Sequence, residues 1–149
     1  MQEIRIQIKR LGNNPLLPLP HYMTEGASGM DLFACLEKEA TLEPGARGLI
    51  PTGISVAIPE GFEGQVRARS GLAIRHGVGI VNAPGTIDAD YRGEVNVILI
   101  NLGTVPFTIR NGERIAQLVI SRVFRAVWEE TDDLPPTSRQ GGGFGHTGV

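Results

Sequence analysis

The stretch GLIPTGISVAIPEGFEGQVRAR, residues 48–69, decides the fold class. Within it, 48–50, 54–58 and 66–69 are short runs rich in Val, Ile and Leu, and PTG and PEG stand between them as turn punctuation. The pattern extends in both directions. Downstream, 79–81, 95–101, 107–109 and 115–124 read as further strands, and upstream Ile4, Ile6 and Ile8 alternate with polar residues, which predicts a strand over 3–9 with one buried face. Many short strands at this spacing imply an all-β sandwich, jelly roll or barrel. Helix is scarce: residues 71–76 form the clear candidate, with Ser70 placed to cap its amides.

With 149 residues and no composition break before the last twenty or so, the chain reads as one domain, of a size that buries roughly 68–70% of its unfolded surface. Residues 131–140 (TDDLPPTSRQ) are polar and proline-bearing, so a packed domain is expected over 1–130 and a linker with a glycine-rich arm over 131–149. A formal net charge of −2 does not argue for nucleic acid, although Arg67, Arg69, Arg92, Arg110, Arg114 and Arg139 could meet a small anion locally. One cysteine, Cys35, excludes an internal disulfide framework and is expected to be a buried, inert thiol. No apolar run reaches signal-peptide or membrane-span length, so a cytoplasmic protein without membrane contact is expected.

The chemistry concentrates in GTIDADYRGEV (85–95), which sets two aspartates, a tyrosine and an arginine ahead of the strand VNVILIN. Gly85 and the Ala89-Asp90 pair are turn chemistry, so the segment reads as a polar hairpin, either a site or a solvated connection. Near the C-terminus, Gly143, Gly145 and Gly148 match GxGxxG, but no strand leads directly into them and the dinucleotide reading fails. Walker lysine, HExxH and GxSxG patterns are absent from the sequence.

Five segments in order, ASGMDLFA (27–34), RARSGLA (67–73), VNAPGTIDADYRGEV (81–95), NGERIAQLV (111–119) and RQGGGFGHTG (139–148), closely resemble the motifs of the trimeric all-β dUTPases. The resemblance covers nearly the whole chain. It implies a distorted jelly-roll or β-clip barrel of short strands, a homotrimer, a flexible C-terminal arm, Mg²⁺ as cofactor and dUTP as substrate. The implied reaction is hydrolysis of dUTP to dUMP and pyrophosphate, which limits uracil incorporation into DNA and supplies dUMP for dTMP synthesis. A dCTP deaminase of related fold and a nucleotide-binding trimer without turnover are the rival readings.

By that resemblance Asp88 is the general base that activates water for attack on the α-phosphorus, a role open to any carboxylate within reach of a water. Tyr91 resembles the ring packed on the deoxyribose, and Asn82 with nearby backbone groups resembles the uracil pocket. Arg69, Ser70, Gly71 and Gln117 correspond to phosphate contacts, and Asp31 to a carboxylate linked to Mg²⁺ through water. On the arm, Arg139 corresponds to a γ-phosphate contact, Phe144 to a ring over uracil and Thr147 to a phosphate-binding hydroxyl. Read singly, Asp31 is a hydrogen-bonded acid at a strand edge, Ser70 a plain helix cap and Asn82 a turn former. Ala68, Met30 and His146 depart from the usual pattern without removing a reacting group.

Overall fold

The computed structural model describes residues 3–12 and 16–143. Ten strands and one short helix are present among them, and every strand pairing is antiparallel. One sheet has the order β1 (Gln7–Arg10), β4 (Arg47–Ala57), β8 (Glu94–Asn101), β6 (Val78–Ile80). A second runs β2 (Met30–Phe33), β10 (Arg114–Arg122), β5 (Phe62–Arg67), β7 (Gly85–Ile87). Strands β3 (Ala40–Leu42) and β9 (Phe107–Ile109) form a two-stranded ladder. No helix among the described residues is long and apolar enough to cross a membrane.

Alternation explains the core. Along β8, Val95, Val97, Leu99 and Asn101 are buried while the residues between them are half-exposed, so one pleat face points inward. Val95, Val97 and Leu99 join Ile50, Ile54 and Val56 from β4 and Leu32, Val66, Ile87, Ile115 and Leu118 from the second sheet in one apolar cluster. At roughly 25 cal/mol per Å² of apolar surface removed from water, this shared core is the main force holding the two sheets together.

Several strands differ from the sequence reading, each for a local reason. PTG does not separate two strands; it lies inside the single strand β4, where the register against β8 shifts between Pro51 and Ser55. Gly53 takes a φ of +67° there, and its N–H donates to Glu94 Oε1 at 2.8 Å, so the glycine forms a bulge. β1 begins at Gln7, later than expected, although Ile4 and Ile6 remain half-buried. β5 begins at Phe62, before the expected 66–69 run. β2 and β3 were not expected: Asp31, Leu32 and Phe33 are buried without alternation, which hides the strand signal.

Helix α1 (Ser70–His76) matches the predicted helix, but Ser70 is its first residue and not its cap. Arg69 holds the cap position in extended backbone, with no side-chain capping bond, and Gly77 closes the other end at a φ of +67°. Cys35 is half-buried and not fully enclosed. Burial, with the Glu94 carboxylate adding to it, pushes its thiol pKa up, so the thiol stays protonated and a poor nucleophile at neutral pH.

Asn101 ties the end of β8 to the β3 region. Its buried Nδ2 donates to the Leu42 carbonyl at 2.9 Å and the Val105 carbonyl at 2.8 Å, while its Oδ1 accepts from the Gly103 N–H at 2.9 Å. Asn101→Ala orphans three polar groups and is expected to destabilise the fold by about 2–4 kcal/mol in chemical denaturation. A loss below about 0.5 kcal/mol would show that the amide carries no structural load.

Candidate active site

Of the residues expected to contact phosphate or Mg²⁺, Asp31 and Gln117 lie on the second sheet, and Arg69, Ser70 and Gly71 follow its strand β5. Register places Asp31 of β2 opposite Gln117 of β10, and Gln117 opposite Arg67 of β5. Asp31 is only 6% exposed, and its two oxygens are taken by two cations. Arg69 Nε donates to Oδ1 at 3.1 Å and Arg114 Nη1 to Oδ2 at 3.1 Å, while Arg69 Nη1 also reaches the Arg114 carbonyl at 3.3 Å. Two guanidiniums on one carboxylate leave a local net positive charge beside the start of α1, where the first helical N–H groups have no carbonyl behind them to meet. In the sequence Arg114 stands out only as one arginine among six, and its position three residues before Gln117 is the one signal of its place here. Arg67 turns elsewhere, with Nε and Nη2 both donating to Gln65 Oε1.

Gln117 is half-buried, and the chain approaches it closely. A Cβ at Gly29 would lie 2.7 Å from Gln117 Oε1, so the glycine leaves the amide its space.

The segment expected to be a hairpin is an inter-sheet crossover. β7 pairs with β5 in the second sheet, whereas β6 before it and β8 after it pair in the first. Gly85 therefore belongs to a strand and not to a turn. Asn82 lies in the exposed turn between β6 and β7, and a Cβ at Gly85 would come within 3.1 Å of its Nδ2. The Ala83–Pro84 peptide in this turn is cis.

After β7 the chain turns at Asp88. The Tyr91 N–H donates to the Asp88 carbonyl at 3.1 Å, and Arg92 Nη1 donates to the carbonyls of Ala89 at 2.6 Å and Tyr91 at 2.8 Å. The Tyr91 hydroxyl donates to the Glu94 carbonyl at 3.0 Å. Arg92 thus staples the turn through its backbone. The exposed Asp88 carboxylate has no hydrogen bond or ion pair among the described residues, and it lines a cleft of about 820 Å³ with Phe62, Glu63, Asp90 and Phe124.

One chain does not bring Asp88 to Arg69. Ile87 pairs with Gly64 and Gly85 with Val66, so Asp88 emerges beside the start of β5 while Arg69, Ser70 and Gly71 follow its end. At 3.2–3.4 Å per strand residue, that is a separation of roughly 15–20 Å. A second cleft of about 700 Å³ is lined by Arg69, Arg114, His76 and Phe107, and it shares no lining residue with the Asp88 cleft. The last strand ends at Arg122, after which Phe124 is 95% and Trp128 91% exposed. In the arm, Arg139 Nε donates to the Gly142 carbonyl at 2.6 Å; Phe144 and Thr147 lie outside the described residues.

The dUTPase family model matches residues 17–148. A deoxyuridine 5'-triphosphate nucleotidohydrolase of Syntrophotalea carbinolica is 56% identical over 148 residues, covering 99% of this chain and 99% of that protein. One from Desulfotalea psychrophila is 62% identical over 133 residues, covering 89% of each. Among solved structures, the dUTPase of Staphylococcus bacteriophage 80alpha with dUPNHPP superposes with a TM-score of 0.86 at 26% identity, over 97% of this chain and 99% of that one. The all-antiparallel architecture, the ordered motifs and these likenesses agree: the chain belongs to the dUTPase family.

Proposed function

We propose that this chain hydrolyses dUTP to dUMP and pyrophosphate at sites shared between copies of a C3 homotrimer, in which Asp88 of one copy faces Arg69, Ser70, Gly71 and Gln117 of another. The observation that carries the reading is the unpartnered Asp88 carboxylate, held at a cleft by a turn whose Tyr91 and Arg92 side chains are engaged with backbone carbonyls. Such a group is placed to take a proton from water. The attacking water adds to the α-phosphorus as the bond to the β-phosphate bridging oxygen breaks, and pyrophosphate leaves.

Charge stabilisation falls to the cationic residues. Arg69, whose Nε is oriented by Asp31, and the amides of Ser70 and Gly71 meet the phosphates, with Gln117 beside them. Asn82 and adjacent backbone groups match the hydrogen-bonding edge of uracil, and the Tyr91 ring excludes a 2′-hydroxyl from the sugar's place. Arg139, Phe144 and Thr147 of the arm close over the γ-phosphate, the base and the phosphates respectively. A lid of this kind, donated by a further copy, excludes bulk solvent.

Asp31 fits the role of accepting a hydrogen bond from water on Mg²⁺. Each of its oxygens receives one N–H, and a carboxylate offers about four acceptor positions, so two remain. When bound with the triphosphate, Mg²⁺ neutralises phosphate charge. The homotrimer is supported by the exposed apolar run at Val123, Phe124, Val127 and Trp128, which a lone chain leaves in water.

Asp88→Asn keeps the shape of the site but removes the base. Pyrophosphate release from dUTP is expected to fall by about 100-fold or more with nucleotide affinity nearly unchanged, and unaltered turnover would remove Asp88 from its role. Ammonia release from dCTP, with dUTP untouched, would favour the deaminase reading. Truncation before Arg139 is expected to slow turnover and leave the sedimentation of the trimer intact; dissociation would make the arm a structural element instead.

A further inference from the structure

Tyr91 sits over a position that has no side chain. A Cβ at Gly93 would lie 2.4 Å from Tyr91 Oη, 2.6 Å from Cζ and 3.0 Å from Cε2, so the ring lies where any other residue would project. Backbone freedom does not explain this glycine, because its φ lies outside the left-handed region and an L-residue would meet no strain there. Space explains it. With the Cβ missing, the ring lies against the backbone and its hydroxyl reaches the Glu94 carbonyl at 3.0 Å. The residue remains 45% exposed, which leaves surface available to a ligand.

We propose that Gly93 is a positioning residue for sugar specificity: by giving up its side chain it lets the Tyr91 ring lie against the backbone, in the place that denies room to a 2′-hydroxyl. This rests on the reading of Tyr91 as the deoxyribose contact. In Gly93→Ala the new methyl fills the place where the ring now lies, so the ring swings aside from the sugar and opens the space a 2′-hydroxyl needs, and its hydroxyl loses the Glu94 carbonyl. The turn itself is held by other bonds, from Arg92 to the Ala89 and Tyr91 carbonyls and from the Tyr91 N–H to the Asp88 carbonyl. Asp88 therefore keeps its place while the sugar platform moves.

The test compares kcat/KM for dUTP and UTP in wild type, Gly93→Ala, Tyr91→Ala, Tyr91→Phe and the Gly93→Ala/Tyr91→Ala double variant. Gly93→Ala is expected to lower the dUTP-to-UTP preference by about tenfold or more, through UTP gaining ground, with kcat for dUTP within about threefold of wild type. In the Tyr91→Ala background the same glycine substitution is expected to add nothing, since the ring through which it acts is gone. Tyr91→Phe, which loses only the bond to Glu94 and adds no atom, gives a smaller fall and serves if Gly93→Ala does not fold. An unchanged preference in Gly93→Ala, or equal falls in both backgrounds, overturns the inference while leaving Tyr91 as the sugar contact. An unchanged preference in Tyr91→Ala overturns that reading of Tyr91, and the inference with it.

Discussion

The pairing of β7 with β5 is the constraint on which the rest of the molecule depends. An antiparallel ladder with Ile87 opposite Gly64 and Gly85 opposite Val66 sends Asp88 past one end of β5, and Arg69 leaves the other. Strand rise is fixed within a few tenths of an ångström per residue, so no side-chain rotation closes a gap of roughly 15–20 Å between two such ends. The residue proposed to attack and the residues proposed to hold the phosphates are therefore separated by the backbone itself. A shared site between copies is the arrangement that reconciles this geometry with the chemistry, and it also explains why the two clefts have separate linings.

Each half is held by its own contacts. On the side proposed to hold the phosphates, Asp31 is buried in an edge strand and binds both Arg69 and Arg114, so a single carboxylate orients two cations. Leaving that carboxylate buried without its arginines would carry a large desolvation cost, which ties the cluster's geometry to the stability of the sheet. On the side proposed to hold the nucleoside, Arg92 holds the turn by bonding two carbonyls, and Gly93 leaves the space in which the Tyr91 ring lies. Glycines recur beside the candidate contacts: Gly29 at Gln117, Gly85 at Asn82 and Gly93 at Tyr91. At all three the neighbouring side chain occupies the space a Cβ would fill or crowd, and the site's shape is built from missing atoms as much as from present ones.

Strands with clean alternation were legible in the sequence. β8, whose buried residues fall at every second position, and β9 were placed at or within one residue of their ends. β2 was not, because a buried edge strand carrying an aspartate has no two-residue period to read. The bulge at Gly53 mimicked a turn, since glycine and proline punctuate both. For the site, the residue types and their motif order were visible, whereas their spatial relations were not. That Asp31 joins Arg69 to Arg114, and that β7 changes sheets, are properties of long-range pairing that local patterns do not encode. The glycines at 29, 85 and 93 were present in the motifs, but their function is steric and appears only once the neighbouring side chain is placed.

The most direct test of the shared site is subunit complementation. Asp88→Asn and Arg69→Gln chains, each expected to be inactive alone, are mixed in equal amounts under conditions that allow subunit exchange, and pyrophosphate release from dUTP is followed. Random assembly makes about three-quarters of the trimers mixed, and one interface of the three in each then joins an intact Asp88 to an intact Arg69, so activity should rise to about a quarter of wild type. Activity that never exceeds the sum of the two separate variants, in trimers shown to have exchanged, would mean that each chain builds its site alone and would contradict the account.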